Sequence, residues 1–311
     1  MKVQRLPFLL LLLLLLLTIC SACTGVFEEM APQTEGAGRY EALFTDAPPV
    51  VSPELTTDLQ VYFLDVGQGD SILILLPNGQ TMLIDGGRQV ESDRLLAYLQ
   101  RAGVETIDFL VATNPQAEHI GGLPAVLAQF EVRAVYMPQL VNTSQVFEEL
   151  MTAIEQKDLT VNTARAGVNI IDVPDLRVDL LAPSGDSYRE TSNFSAIIKL
   201  TYKDVAFLFT GDAQRESEKR LTAELKADVL KVGHHGSNTA TGTAFLKKVD
   251  PQIAVISCGD KTRYGNPSDV LLRRLKKAGV TVYRTDEKGT IGITSDGATL
   301  EVTTGLRAPA E

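Results

Sequence analysis

The sequence is short of cysteine, of positive charge and of long apolar runs, and each shortage excludes a class of protein. Three cysteines in 311 residues are too few for the disulfide framework of a small secreted scaffold. With 29 basic against 39 acidic residues, the net charge is −10, which is the wrong sign for sequence-independent nucleic-acid binding. Beyond the N-terminal leucine run, no segment is long and apolar enough to build a membrane channel.

Histidine is equally scarce, and its distribution is uneven. The chain has three histidines, and all of them lie within two short motifs: His119 in EHIGG, and His234 and His235 in GHHGS. A random scatter would rarely place them so. The clustering marks both motifs as candidate functional sites.

The N-terminus resembles the signal of a bacterial lipoprotein. Two basic residues precede the leucine run 9–17, which is too short to span a bilayer comfortably, and small residues stand directly before Cys23. One departure from the lipoprotein pattern is Cys20, which stands where leucine is usual. The resemblance implies a signal peptide over residues 1–23, lipid attachment at Cys23 and anchoring to the extracytoplasmic face of the cell membrane. A cleaved, freely secreted protein is the alternative.

The segment after the signal is predicted to be a flexible tether. Residues 24–57 are rich in Pro, Gly, Thr, Ala and Glu and show no apolar periodicity. Removing residues 1–23 takes away two basic and no acidic residues, which leaves 27 against 39 and a net charge of −12. The membrane is therefore the expected partner of the N-terminus, and strong nucleic-acid binding is not expected.

Residues 58–305 carry the pattern of one layered α/β domain. Short apolar strands separated by turn residues come first, and strands then alternate with amphipathic helices, for example over 92–102 and 215–225. Pattern alone does not choose between a single sheet and a sandwich of two sheets. Cys258 follows the apolar run 253–256 and is predicted to be a buried, inert thiol.

Three apolar strands run directly into side chains that bind metals. The strands are predicted over 109–112, 206–209 and 229–232. The candidate ligands that follow them are Glu118, His119, Asp212, His234 and His235. Ligands at strand ends are aimed by rigid elements into a shared cleft, and a set of nitrogen and oxygen donors suits Zn²⁺ or Mn²⁺.

Several of these residues also have a purely structural interpretation. Asp212 could serve as the N-cap of the helix that follows it, and His119 could be a loop residue of no chemical role. Ser237 could bind a substrate phosphate or merely cap its own turn.

At this point the chain resembles a known family, the metallo-β-lactamase fold superfamily, and most closely the hydrolase domain of the competence protein ComEC and its stand-alone relatives. The resemblance covers about residues 58–304 and implies an αββα four-layer sandwich of two mixed β-sheets flanked by helices. The segments that carry it, in chain order, are DVGQGDS, LIDGG, EHIGG, NFS, TGD, GHHGS, RYGNP and YRTD.

Carried over residue by residue, the resemblance shows that several metal ligands have been replaced. The family loop His-x-(His or Asp)-x-Asp-His is here Asn114, Gln116, Glu118 and His119, so only the last histidine is kept. The histidine of the family's Gly-His-Pro is Asn266. Asp212 matches the bridging aspartate, and His234 and His235 match a pair of which one is normally a ligand. The residues expected to line the site are Asp70, Asp85, Asn114, Gln116, Asn193, Ser237 and Asn266.

The remaining charges predict a site for at most one tightly bound divalent ion, zinc or manganese. Glu118 and Asp212 supply two negative charges, and the ligands would be Glu118, His119, Asp212 and one of His234 and His235. His235 is favoured because a glycine follows it and lets backbone approach closely.

The resemblance implies a phosphodiester substrate, nucleic acid or nucleotide, attacked by metal-bound hydroxide that Glu118 or Asp212 orients. The alternative is a catalytically silent binding module that has lost its ligands. Hydrolysis of another ester or of a lactam is a third hypothesis, which nothing in the sequence favours.

Overall fold

The computed structural model describes residues 40–46, 51–140, 142–260 and 265–306. The predicted signal peptide, Cys23 and the first part of the tether, residues 24–39, lie outside the described residues. The described residues belong to one compact unit that starts at Tyr40.

Sixteen strands among the described residues form two mixed sheets. In chain order they are β1 Phe44–Thr45, β2 Leu59–Phe63, β3 Ile72–Leu75, β4 Thr81–Ile84, β5 Thr106–Val111, β6 Glu131–Met137, β7 Val161–Thr163, β8 Asn169–Val173, β9 Leu176–Ala182, β10 Ile197–Tyr202, β11 Val205–Phe209, β12 Val229–Lys231, β13 Ile253–Ile256, β14 Thr281–Arg284, β15 Thr290–Ser295 and β16 Glu301–Leu306. One sheet has the order β1-β7-β6-β5-β4-β3-β2-β15-β16, and the other the order β14-β13-β12-β11-β10-β9-β8.

The described α-helices connect and cover these sheets. They are α1 Ser92–Arg101, α2 Ala117–Ile120, α3 Leu123–Gln129, α4 Gln145–Gln156, α5 Arg215–Arg220, α6 Thr243–Val249, α7 Asp269–Lys277 and α8 Thr285–Lys288. Two helix starts are set by serine N-caps, because Ser144 Oγ accepts the backbone N–H of Phe147 and Ser268 Oγ accepts that of Val270. Among the described residues, no helix has both the length and the apolarity needed to cross a bilayer.

Three apolar clusters define four layers. The largest fills the space between the sheets and joins side chains of β2–β5 to those of β9–β13. The second packs the outer face of the nine-stranded sheet against α1, α3 and α4, and the third packs the seven-stranded sheet against α6 and α7. The predicted αββα sandwich is therefore confirmed. Strand β11 is buried at every residue, as expected for a strand covered on both faces.

The boundaries of several elements differ from the sequence-based prediction. Helix α5 ends at Arg220 rather than at residue 225, because Leu221 has extended backbone and both Leu221 and Leu225 pack into the third cluster. Strands β6, β7 and β8 were not predicted from the pattern. Cys258 is buried, as predicted.

The second half of the predicted tether is part of the domain. Tyr40 is buried against Phe147, with ring centroids 6.1 Å apart, and β1 pairs in parallel with β7. Val51 and Leu55 pack against the cluster between the sheets. These apolar side chains are too widely spaced to produce a periodic pattern, so the prediction of a tether over 24–57 is wrong for its described residues.

Candidate metal centre

The candidate ligands meet where the carboxyl ends of parallel strands come together. Asp85 follows β4, Asp212 follows β11, His235 follows β12, and His119 lies on α2 shortly after β5. Asp70 lies just before β3, whose first residues are paired with the end of β4. All five side chains are buried. The edges of both sheets thus contribute to one enclosed polar cluster.

The ring of His119 is fixed from behind by Asp85. Its Nδ1 lies 2.8 Å from Asp85 Oδ2, and Asp85 in turn accepts hydrogen bonds from the backbone N–H (2.7 Å) and the hydroxyl (2.6 Å) of Thr113. With the Nδ1–H donating a hydrogen bond to Asp85, the Nε2 lone pair points forward. That nitrogen lies 3.2 Å from Asp212 Oδ2.

His235 is held in the same way by a backbone carbonyl. Its Nδ1 lies 3.1 Å from the carbonyl oxygen of Ser257 and 3.3 Å from Asp70 Oδ1. Its Nε2 lies 3.4 Å from Asp212 Oδ1, and its ring stacks on that of His119 with centroids 5.4 Å apart. Both imidazoles therefore present Nε2 to the same carboxylate.

The atoms that face each other lie at ion-pair distance from one another and have no hydrogen-bond partner elsewhere among the described residues. They are His119 Nε2, His235 Nε2 and both carboxylate oxygens of Asp212, and all are buried. One ligand atom from each of these residues lies within 4.8 Å of the others. Buried polar groups are normally satisfied, so these convergent atoms favour a shared cation, which is either a proton on each ring or a metal ion. Two imidazoles oriented through Nδ1 and one carboxylate fit a divalent ion.

The electrostatics of the cluster favour positive charge between the carboxylates. Burial alone would lower the pKa of His119, but the Asp212 and Asp85 carboxylates raise it well above its ordinary value. Asp212 and Asp70 likewise outweigh burial and raise the pKa of His235. Burial opposes the ionisation of Asp212, but His235 and His119 hold its pKa well below the usual range. Protons on the rings or a metal ion supply that positive charge.

The two aspartates behind the rings differ in their electrostatic surroundings. Burial raises the pKa of Asp85. Burial acts on Asp70 in the same direction, but the Lys231 ammonium and His235 overcome it and lower its pKa to about 2. Asp70 is therefore a permanent anion behind the rings.

His234 stands at the mouth of the cluster rather than in it. Its side chain is 28% exposed, whereas that of His235 is 2% exposed, and its Nε2 lies 3.7 Å from Asp212 Oδ2. Both residues have left-handed backbone, with φ of 51° and 50°. Non-glycine residues seldom adopt this conformation, and it turns two adjacent rings towards one carboxylate.

Comparison with known proteins agrees with this arrangement. The family model of the metallo-beta-lactamase superfamily matches residues 64–260. The chain belongs to the metallo-β-lactamase superfamily. Its fold implies divalent metal binding, for which the cluster provides the candidate ligands.

The similar curated proteins include a competence-operon protein and a recombination protein. ComE operon protein 3 of Bacillus subtilis is 28% identical over 78% of this chain and 34% of its own length. Recombination protein 2 of Haemophilus influenzae is 29% identical over 75% of this chain and 28% of its own length. The chain thus spans about a third of the length of these relatives. The fold is also similar to CmlA, a diiron β-hydroxylase from Streptomyces venezuelae, with a TM-score of 0.50 and 15% identity over 78% of this chain and 55% of that chain.

One predicted ligand of this metallo-β-lactamase fold lies outside both ligand groups. Glu118 is half exposed, and neither group of clustered donors among the described residues includes it. It precedes His119 on the single turn of α2, where successive side chains point about 100° apart, so burial of His119 turns Glu118 outward. Its backbone carbonyl instead accepts the N–H of Asp70 at 3.1 Å. The prediction of Glu118 as a ligand and catalytic carboxylate is therefore not supported.

The two amides that replace family ligands have become part of the loop structure. Asn114 Nδ2 donates to Ser195 Oγ (3.2 Å), and its Oδ1 accepts the backbone N–H of Gln116. Gln116 Oε1 accepts the hydroxyl of Ser192 at 3.2 Å. These bonds join the loop after β5 to the turn before β10. Both amides therefore preserve the shape of this loop.

The other predicted site-lining residues also have structural contacts. Asn193 Oδ1 accepts the backbone N–H groups of Gln214 and Ser217 at the start of α5, so Asn193 caps this helix and Asp212 does not. Ser237 Oγ bonds within its own turn to Thr239. Asn266 precedes Pro267, which packs directly against Gly236 beside the histidine pair.

Sequence reasoning missed Lys231, the last residue of β12. It is completely buried, and its Nζ lies 2.7 Å from Asp70 Oδ2. The available signal was a lysine in the middle of the apolar run Val229-Leu230-Lys231-Val232, directly before GHHGS. Thr113 and the carbonyl of Ser257 were also missed, because they act only through the groups they orient.

Proposed function

We propose that the chain is a metal-dependent hydrolase of phosphodiesters that holds one divalent ion with His119, Asp212 and His235. The observation that carries this proposal is the set of four buried, unpartnered donor atoms of these residues that face each other. A divalent ion there supplies Lewis acidity and activates water at neutral pH. Zinc and manganese are both compatible with two imidazoles and a carboxylate.

The protein groups around the ion have separate tasks. Asp85 and the Ser257 carbonyl accept hydrogen bonds from the Nδ1–H groups and so fix each ring with Nε2 forward. The half-exposed His234, close to Asp212, is placed to donate a hydrogen bond to an anionic substrate oxygen. Burial of the three ligands keeps bulk water away from their charges, which strengthens their interactions.

A nucleic acid or a nucleotide is the favoured substrate class. The support is the names of the similar proteins, which are a competence-operon protein and a recombination protein. The net charge of −10 argues against avid, sequence-independent binding of a polyanion. We therefore propose cleavage of short or weakly bound phosphodiesters.

The deciding experiment compares metal content and turnover in one preparation. Protein beginning at residue 24 is stripped, reconstituted with Mn²⁺ or Zn²⁺, and assayed by elemental mass spectrometry and with bis(p-nitrophenyl) phosphate. We expect one ion per chain and metal-dependent turnover, both lost in Asp212→Ala. Asp108→Asn is the matched control, because Asp108 is a buried aspartate paired with Arg133, remote from the ligand groups. Turnover that survives in Asp212→Ala would refute the proposal.

A silent binding module remains the second candidate. It is favoured by the engagement of Asn114 and Gln116 in loop hydrogen bonds and by the position of Glu118 outside the ligand groups. A bound ion without turnover on phosphodiesters, other esters or lactams would support it.

We also propose that Cys23 is lipidated and anchors the domain to the extracytoplasmic face of the membrane. The support is the lipobox-like sequence before Cys23. Labelling with a palmitate analogue in a bacterial host should mark the wild type and not Cys23→Ala. Labelled protein that persists in Cys23→Ala would contradict anchoring at this residue, and unlabelled wild type in the medium would favour free secretion.

A further inference from the structure

The buried ion pair of Lys231 and Asp70 lies directly behind the candidate ligands. Lys231 ends β12 in the seven-stranded sheet, and Asp70 precedes β3 in the nine-stranded sheet, so the pair joins the two sheets. Nζ lies 2.7 Å from Asp70 Oδ2 and donates to the carbonyl of Val232 at 2.9 Å. Neither side chain is more than 1% exposed. An ammonium in such a place is retained only with a full counter-charge.

The same carboxylate contacts both imidazole ligands. Asp70 Oδ1 lies 3.3 Å from Nδ1 of His235, and Oδ2 lies 3.8 Å from Nδ1 of His119. The charge on Lys231 therefore acts on the metal cluster through one intervening carboxylate. Because solvent screens charges only weakly in a buried site, the Lys231 ammonium strongly affects the charge balance at the two imidazoles.

The charges of the buried cluster indicate a specific role for the Lys231–Asp70 ion pair. The cluster contains three buried carboxylates, Asp70, Asp85 and Asp212, and one buried ammonium, Lys231. With neutral imidazoles, two negative charges remain, which one divalent ion balances. Without the ammonium, three would remain.

We propose that Lys231 is a fixed internal counter-charge that neutralises Asp70 and thereby matches the net charge of the site to one divalent ion. It is a positioning residue, since its ammonium pairs with Asp70 and not with one of the three proposed ligands. This inference rests on the proposed metal site and adds the group that sets the net charge there.

Three variants vary the charge of the site in steps while the ligands stay in place. Lys231→Met leaves three negative charges, Asp70→Asn leaves one, and the double variant leaves two, as in the wild type. The double variant contains no unpaired buried charge, so it keeps the comparison possible even if Lys231→Met does not fold. Lys231→Arg retains the charge, and Asp108→Asn repeats the aspartate change at a buried aspartate that pairs with an exposed arginine and belongs to neither ligand group.

The readouts are ion stoichiometry by elemental mass spectrometry and affinity by competition with a chelator, using Mn²⁺ and Zn²⁺ alone at one pH. We expect Asp70→Asn to bind at least about tenfold more weakly than wild type, from the lost Coulomb attraction. Lys231→Met should bind its one ion at least about tenfold more tightly than wild type, from the added Coulomb attraction. The double variant, Lys231→Arg and Asp108→Asn should bind one ion with affinity close to that of the wild type.

Two results would overturn only the proposed role of Lys231, and a third would also overturn the proposed function. If all variants bind one ion equally well, Lys231 only joins the sheets. If the double variant is as weak as Asp70→Asn, Asp70 acts through its hydrogen bonds and not through charge. A wild-type protein that binds no ion refutes the proposed function together with this inference.

Discussion

At the scale of single residues, the two adjacent histidines show what a sequence motif leaves open. Both were candidate ligands, and the preference for His235 rested on the glycine that follows it. The structure favours His235 for a different reason, which is that the Ser257 carbonyl fixes its Nδ1 and directs Nε2 towards Asp212. The sequence around His235 does not indicate this contact, because Ser257 lies 22 residues further along the chain.

Alanine at each histidine should therefore have unequal effects on metal binding. We expect His235→Ala to lower affinity by on the order of 100-fold or more, because it removes an oriented buried ligand. His234→Ala should change affinity by less than about tenfold, because the ring is partly exposed and lies outside the ligand group. Competition with a chelating dye measures both. Weaker binding in His234→Ala than in His235→Ala would show that the exposed ring is the true ligand.

How much of the site the sequence revealed depends on how each residue acts. His119, Asp212 and His235 follow apolar strands and carry metal-binding groups, so pattern and resemblance together identified them. Glu118 lies outside both groups of clustered donors because burial of His119 turns it outward, which is a tertiary effect. Lys231 was missed because a lysine near a strand end normally faces solvent.

At the scale of secondary-structure elements, segments with regular apolar spacing were predicted well. Strands that are held mainly by pairing with their neighbours were predicted poorly. Helix α1 and strand β11 were predicted nearly in full, since their apolar spacing is regular. Strand β6 alternates charged and apolar residues and is held by neighbours on both sides, which local pattern does not reveal. The predicted helix over 215–225 was too long. Leu221 and Leu225 have helical spacing in the sequence, but the helix in the structure ends at Arg220.

The turn before Asp70 packs closely against the backbone of α2. Gly69 has φ of 144°, and a Cβ there would lie 2.4 Å from the carbonyl oxygen of Glu118. We expect Gly69→Ala to destabilise the fold by at least about 2 kcal/mol more than Gly79→Ala. Gly79 has a milder positive φ of 78° and no atom within 4 Å of the added Cβ, so its variant lacks both the clash and the stronger backbone strain. Urea unfolding measures the difference, and equal destabilisation would exclude both effects.

Glu218 on α5 caps the start of α6 and introduces a pH dependence. Its carboxylate accepts the backbone N–H groups of Thr241 and Gly242, yet burial outweighs these bonds and raises its pKa from 4.5 to about 6. A raised carboxyl pKa means that its contribution to stability is complete below pH 4.5 and is lost as the pH rises to about 6. The loss should be about 2 kcal/mol, the free energy that corresponds to the difference between these two pKa values.

Glu218→Gln should therefore remove this step in the stability profile. The free energy of unfolding of wild type and variant is measured in urea at pH 4.5 and pH 7. The difference between the two proteins is then compared at the two pH values. This comparison reports Glu218 alone, because the other titrating groups contribute equally to both proteins. We expect the wild type to lose about 2 kcal/mol relative to the variant between these pH values. A constant difference across the range would show that the two backbone hydrogen bonds balance the burial.

At the scale of the whole molecule, the fold and the metal cluster depend on different residues. None of the three apolar clusters contains Asp70, Asp85, His119, Asp212 or His235. The sandwich was predictable from sequence because it follows from many short apolar segments in family order. The site was less predictable because it depends on a few contacts between distant segments.

This separation predicts that the metal stabilises the protein without being required for folding. At free metal about 100-fold above the dissociation constant, binding adds about 2.7 kcal/mol to the free energy of unfolding. For a chain of this size we expect a rise in Tm of about 5 °C or more, measured by calorimetry of stripped and reconstituted protein. Asp212→Ala should show no rise with metal, while Asp108→Asn should show the wild-type rise. A stripped protein without a cooperative transition would contradict the prediction, since it would mean that the three apolar clusters alone do not hold the sandwich together.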